Sequence, residues 1–154
     1  MVPKENFGYE YFHGVGSNYP KAGYETFHSH FKRFREIIEF VVSLMGHNIR
    51  WLDIGCAYGV LVKFANEAGI DAYGVDISEY AIGRGKSLYP ELSHKLYVGD
   101  CNSILTIFGE ESFDVVTMLE VLEHLSDPRQ SLTTISKVLK SHGYLLITTP
   151  LKES

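Results

Sequence analysis

The chain has 154 residues, 45% hydrophobic and 21% charged, with 19 acidic against 14 basic side chains and a formal net charge of -5. That is enough chain and apolar content for one domain with its own core. No cluster of Lys and Arg stands out, which argues against non-specific nucleic-acid binding, because that depends on neutralising phosphates.

Met1 to Phe7 lacks a charged segment followed by an apolar run, so no secretory signal is expected. No apolar stretch is long enough for a bilayer crossing, so no membrane partner is expected either. Residues 1–25 are rich in Gly, Tyr and Asn, have no clear period, and are expected to form an irregular arm ahead of one domain over 26–154. Phe27, Phe31, Phe34, Ile38, Val41, Val42 and Met45 fall on one helical face, and Gly46 is placed to end that helix.

Ile49 to Ile54 reads as a strand, and Tyr58 to Glu67 as a helix carrying Leu61, Phe64 and Ala65 at helical spacing. Ala72 to Ile77 is the second strand. Ser78 is a cap for the helix after it. Lys95 to Val98 and Phe113 to Leu119 are the third and fourth strands. Asp127-Pro128 starts a helix with Leu132, Ile135 and Leu139 as its inner face. Gly143 precedes a fifth strand, Tyr144 to Thr149. Strands alternating with helices predict right-handed crossovers and a mostly parallel α/β sheet with helices on both faces. The two cysteines, Cys56 and Cys101, each follow a predicted strand. A reducing cytoplasm is the economical expectation, with a disulfide left open.

The segment Trp51-Leu52-Asp53-Ile54-Gly55-Cys56-Ala57-Tyr58-Gly59 is the most informative. An apolar run ends in a carboxylate, then breaks into a glycine-bounded turn that lets backbone approach a small ligand. Asp53 at the mouth of that turn would repel a pyrophosphate and suits a ligand with a positive end. Parallel sheets bind ligands at the carboxyl ends of their strands. Asp53, Asp76, Asp100 and Glu120 all lie at such ends. Asp76 falls 21 residues after Gly55, where an acid accepts hydrogen bonds from ribose hydroxyls in nucleotide folds. Asp100 can accept from the exocyclic amine of adenine, with the next backbone amide donating to the ring. The plain structural alternative is that each acid caps a turn or helix.

Together these residues resemble the class I S-adenosylmethionine-dependent methyltransferases. The resemblance rests on Leu52 to Gly59, Gly74-Val75-Asp76-Ile77-Ser78, Gly99-Asp100, Phe113-Asp114-Val115-Val116, Glu120-Val121-Leu122-Glu123-His124-Leu125 and Gly143 to Ile147. It covers Ile49 to Pro150 and is closest to the small-molecule, ubiquinone-biosynthesis-like branch. It implies a Rossmann-like fold, with S-adenosyl-L-methionine as cofactor, S-adenosyl-L-homocysteine as product and a small-molecule acceptor. It also implies that Gly55, Cys56, Ala57, Tyr58 and Gly59 pass along the methionine part, with Asp53 near its amino group. Asp76 would hold the ribose, Ile77 and Leu119 would sandwich the adenine, and Asp100 with the Cys101 backbone would read its edge. Ala57 departs from the family's usual glycine, so a slightly altered loop is expected.

Glu120, Glu123 and His124 are spaced to share one face if the segment is helical. A solvated helix start is the plain alternative. A general base at His124 with Glu123 beside it is the first functional one. A divalent metal site, as some similar methyltransferases have, would need further ligands not identifiable here, so none is assigned. The aromatic arm, with Tyr9, Tyr11, Phe12, Tyr19 and Tyr24, is read as a lid over cofactor and substrate, against simple packing on the first helix. The family's sheet usually continues with an antiparallel pair, which is not expected in this chain. The exposed fifth strand therefore points to a homodimer. A nicotinamide-dependent oxidoreductase fits poorly, since Asp53 precedes a turn with only two glycines. A non-catalytic cofactor-binding module is the remaining alternative.

Overall fold

A computed structural model describes residues 7–13 and 28–150. Five strands, β1 (Arg50–Ile54), β2 (Asp71–Asp76), β3 (Leu96–Val98), β4 (Phe113–Leu119) and β5 (Leu139–Thr148), pair in the order β3-β2-β1-β4-β5. Every pairing is parallel. The helices are α1 (Tyr9–His13), α2 (His28–Met45), α3 (Val60–Glu67), α4 (Glu79–Leu88), α5 (Ile104–Phe108) and α6 (Pro128–Val138). The strand order reverses between β1 and β4, and a parallel sheet opens a crevice for ligands at such a reversal.

Alternation along β1 divides the core. Trp51 packs with Val115 and residues of α1 to α4, whereas Leu52 and Ile54 face α5 and α6 with Val116 and Met118. Helices thus cover both faces of the sheet, as expected for strands buried on both sides. Fully burying each of these large apolar side chains is worth about 1.5–3 kcal/mol. The rim opposite the crevice is closed by ion pairs, Arg50 to Asp71 at 3.2 Å, Lys95 to Asp71 at 2.7 Å and Lys140 to Asp114 at 2.9 Å.

The predicted punctuation works locally. The Gly46 amide donates to the Val42 carbonyl at 2.8 Å and closes α2. Ser78 caps α4 by accepting from the Ala81 amide at 3.0 Å. Asp127 caps α6 by accepting from the Gln130 amide at 2.9 Å, with Pro128 in the first turn.

Several expectations need correction. The helix expected from Tyr58 starts at Val60, because Gly59 is left-handed (φ 81°) and ends the turn first. The arm contains α1, whose Phe12 is buried against Tyr58. Tyr19, Tyr24 and Phe27 lie outside the described residues. Helix α5 was not anticipated. Leu132 is not on the inner face of α6, being 38% exposed. Ser131, Thr134, Ile135 and Val138 turn inward instead. Leu139 has left the helix and opens β5, which then bulges before Tyr144 pairs with Val115.

Candidate functional site

A cleft of about 330 Å³ opens over the carboxyl ends of the strands. Asp53 from β1, Asp76 from β2, Asp100 just after β3 and Glu120 just after β4 all line it. So do Gly55, Cys56, Ala57, Ile77, Cys101, Leu119 and His124. The sheet thus brings together the acids the sequence singled out. Tyr58 and Gly59 are not among the lining residues. The Tyr58 ring turns inward, and its hydroxyl meets His13 Nε2 at 3.2 Å.

The turn after β1 is shaped for close approach. Gly55 has φ 76°, and a Cβ there would lie 2.3 Å from Val121 Cγ2. Ala57 also adopts a left-handed backbone (φ 48°), a strain of about 1–2 kcal/mol for a residue with a Cβ. Its amide donates to Asp76 Oδ2 at 2.8 Å, which ties the turn to β2.

Each acid is held differently. Asp53 is 5% exposed, and its Oδ1 accepts from Thr117 Oγ1 at 2.6 Å. Burial pushes its carboxyl up to about 7, opposed by the Thr117 hydrogen bond and reinforced by the negative Asp76. Asp76 is also raised by burial, against the pull of the Ser78 and Ala57 amides that its two oxygens accept. Asp100 Oδ1 accepts from the Asn102 and Ser103 amides at 3.0 Å each. Asp100 therefore does serve as a turn cap, the plain alternative for it, and lines the cleft as well.

Cys56 and Cys101 are free and buried. Burial raises both thiols, with Ser131 hydrogen-bonding Cys101 in opposition. Neither has the lowered pKa of a reactive thiolate.

The segment after β4 is not the helix expected. Glu120 is left-handed (φ 58°), and only Leu122–His124 form a short 3-10 turn. The three residues therefore do not share a helical face. Arg33 Nη2 donates to Glu120 Oε1 at 3.1 Å and to Thr148 Oγ1 at 3.0 Å. These long-range ties fix Glu120 at the strand exit. Glu123 meets Thr149 at 3.4 Å and does not line the cleft, whereas His124 does. Among the described residues no group of three or more His, Cys, Asp or Glu side chains could hold a metal.

Arg33 and Phe7 escaped the sequence reading, whereas Tyr11 and Phe12 belong to the arm expected beside the cofactor. Arg33 is the one arginine or lysine lining the cleft among the described residues. Phe7, Tyr11 and Phe12 bring the arm to one side of it. The Ser78 hydroxyl donates to the Phe7 carbonyl, and His13 Nε2 also meets the Tyr80 hydroxyl at 3.1 Å. The arm is thus fastened to the segment that follows Asp76.

A parallel sheet with a carboxylate-rimmed cleft at its strand reversal is the arrangement in which open α/β folds bind small ligands. Comparison with known proteins narrows this class. The family profile described as a methyltransferase domain matches residues 27–154, and the chain belongs to that family. It is 34% identical over 101 residues to the ubiquinone biosynthesis O-methyltransferase of Bradyrhizobium diazoefficiens, covering 66% of this chain and 40% of that protein. Phosphoethanolamine N-methyltransferase 2 of Haemonchus contortus, solved with S-adenosyl-L-methionine, aligns with a TM-score of 0.61 at 26% identity. That match covers 74% of this chain and 28% of the other. An S-adenosylmethionine-dependent methyltransferase from Mesorhizobium loti shares the fold at TM-score 0.61 and 21% identity, over 78% of this chain and 53% of its own. The chain spans about two-fifths the length of the first curated relatives it matches.

Proposed function

We propose that this chain binds S-adenosyl-L-methionine across the tips of β1 to β4 and directs its methyl group to a small-molecule acceptor. The observation that carries this is the convergence of Asp53, Asp76 and Asp100, from three neighbouring strands, on one cleft. The residues fit the cofactor. Asp53 suits the ammonium, Asp76 the ribose hydroxyls and Arg33 the carboxylate. Ile77 and Leu119 offer apolar surface to the adenine, while Asp100 and the Cys101 amide suit its edge. Gly55 keeps the passage open where a side chain would collide with Val121.

The bound sulfonium supplies an already activated methyl group. The chain's own residues then have to hold the acceptor in line and keep water out, which is catalysis by proximity and orientation. His124 is the cleft residue suited to take a proton from an acceptor hydroxyl. The likeness to ubiquinone biosynthesis O-methyltransferases supports oxygen as the atom methylated.

Calorimetry with S-adenosyl-L-methionine and S-adenosyl-L-homocysteine tests the first part, and no heat with either refutes it. Transfer of labelled methyl to a panel of phenolic acceptors tests the second. Binding without transfer to any acceptor would overturn the catalytic part alone.

No described helix is long and apolar enough to cross a membrane. Buried free thiols are compatible with a reducing, cytoplasmic setting. Among the described residues β5 pairs only with β4, and Tyr144 on it is 49% exposed, which supports pairing with a second copy. Sedimentation equilibrium showing a monomer at all concentrations would remove the dimer.

A further inference from the structure

We propose that Thr117 and Trp51 are positioning residues for Asp53, forming a buried relay that holds its carboxylate as an acceptor for the ligand's ammonium. The idea rests on the reading of Asp53 given above and adds two residues that do not line the cleft. Trp51 Nε1 donates to Thr117 Oγ1 at 3.0 Å, and Thr117 Oγ1 donates to Asp53 Oδ1 at 2.6 Å. All three are buried, with Thr117 at 0%, Trp51 at 1% and Asp53 at 5% exposure.

With Asp53 ionised, donor counting fixes the direction. An indole N–H only donates, so it occupies a lone pair of the Thr117 oxygen. The hydroxyl has one proton, and the 2.6 Å contact places it toward Asp53. A carboxylate accepting a hydroxyl proton is favoured in its charged form. Strand register makes the arrangement rigid, because Asp53 and Thr117 are directly paired across β1 and β4. Trp51, two residues before Asp53 on β1, shares its face.

This support opposes what surrounds Asp53. Burial and the neighbouring Asp76 both favour its neutral form, and Glu120 adds a further acid to the same cleft. Arg33 is the one arginine or lysine lining the cleft among the described residues, and it is engaged by Glu120. A neutral Asp53 would lose its charge attraction for an ammonium. Thr117 therefore acts on the ligand entirely through Asp53.

The test compares two ligands. S-adenosyl-L-homocysteine carries the ammonium, while 5′-methylthioadenosine has the adenosine and thioether without the amino-acid end. T117V should weaken the first about tenfold, equivalent to one unit of carboxyl pKa, and leave the second within about twofold. T117S, which restores the hydroxyl, should recover the affinity. W51F keeps the hydroxyl but frees its lone pair, and should give a smaller loss of the same ligand-selective kind. Losses that are equal for both ligands, or absent, in T117V and W51F overturn the relay. D53N separates the two levels. A selective loss in D53N without one in T117V and W51F removes only the relay. No selective loss in D53N removes the reading of Asp53 and the relay with it.

Discussion

Asp53 makes the ligand-free protein pay for its binding site in a pH-dependent way. Its folded carboxyl titrates at about 7 against an ordinary 3.8, mainly through burial. The folded state therefore binds this proton more tightly than the unfolded chain. Below the unfolded value both states are protonated and nothing is lost. As pH rises through the window from 3.8 to about 7, stability falls, and above that window it levels off. The full span, from 3.8 to about 7, corresponds to about 4 kcal/mol. Between about pH 5 and 8 the accessible part is about 3 kcal/mol. D53N removes the titration and keeps an oxygen for Thr117 to donate to. Urea denaturation of both proteins across that range should show D53N gaining on the parent by about this amount. Asp76 contributes the same sign in both proteins and largely cancels. Parallel pH profiles for the two proteins would refute the assignment of a buried, elevated Asp53.

Other expectations follow from single contacts. G55A should lower stability by about 1–2 kcal/mol from backbone strain, plus the collision with Val121, and abolish cofactor binding. Adding V121A should recover the collision part alone, as read by thermal melting. L132Q should shift stability by less than about 0.5 kcal/mol, whereas I135A should cost about 2–5 kcal/mol, because only Ile135 faces the core. A thiol reagent should label neither Cys56 nor Cys101 until urea unfolds the protein. Rapid labelling of the native state would contradict their burial.

What could be read in the sequence was what local chemistry decides. Gly55 and Gly59 mark the turn because both carry positive φ, and Asp53 and Asp76 mark strand ends because an apolar run stops there. Ser78 and Asp127 were legible as caps for the same reason. What stayed hidden depends on distant partners. Glu120 leaves the helical path while bound to Arg33 and Thr148, which lie 87 and 28 residues away. Arg33 itself reads as one more charge on an amphipathic helix. Leu132 looks like core by hydrophobicity. Yet Thr134 buries its hydroxyl by donating to the Gln130 carbonyl at 3.1 Å, and Ser131 by meeting Cys101, so short polar residues face inward. Tyr58 sits inside the glycine turn in sequence but packs on Phe12 in space.

Trp51 is the chain's only tryptophan, and its indole lies one hydroxyl away from Asp53. Indole emission responds to local charge and hydrogen bonding. The unlabelled protein therefore carries an optical reporter wired to the tip of β1. Excited at the red edge, where the ten tyrosines are silent, its emission is expected to shift when that carboxylate changes protonation or takes up a ligand.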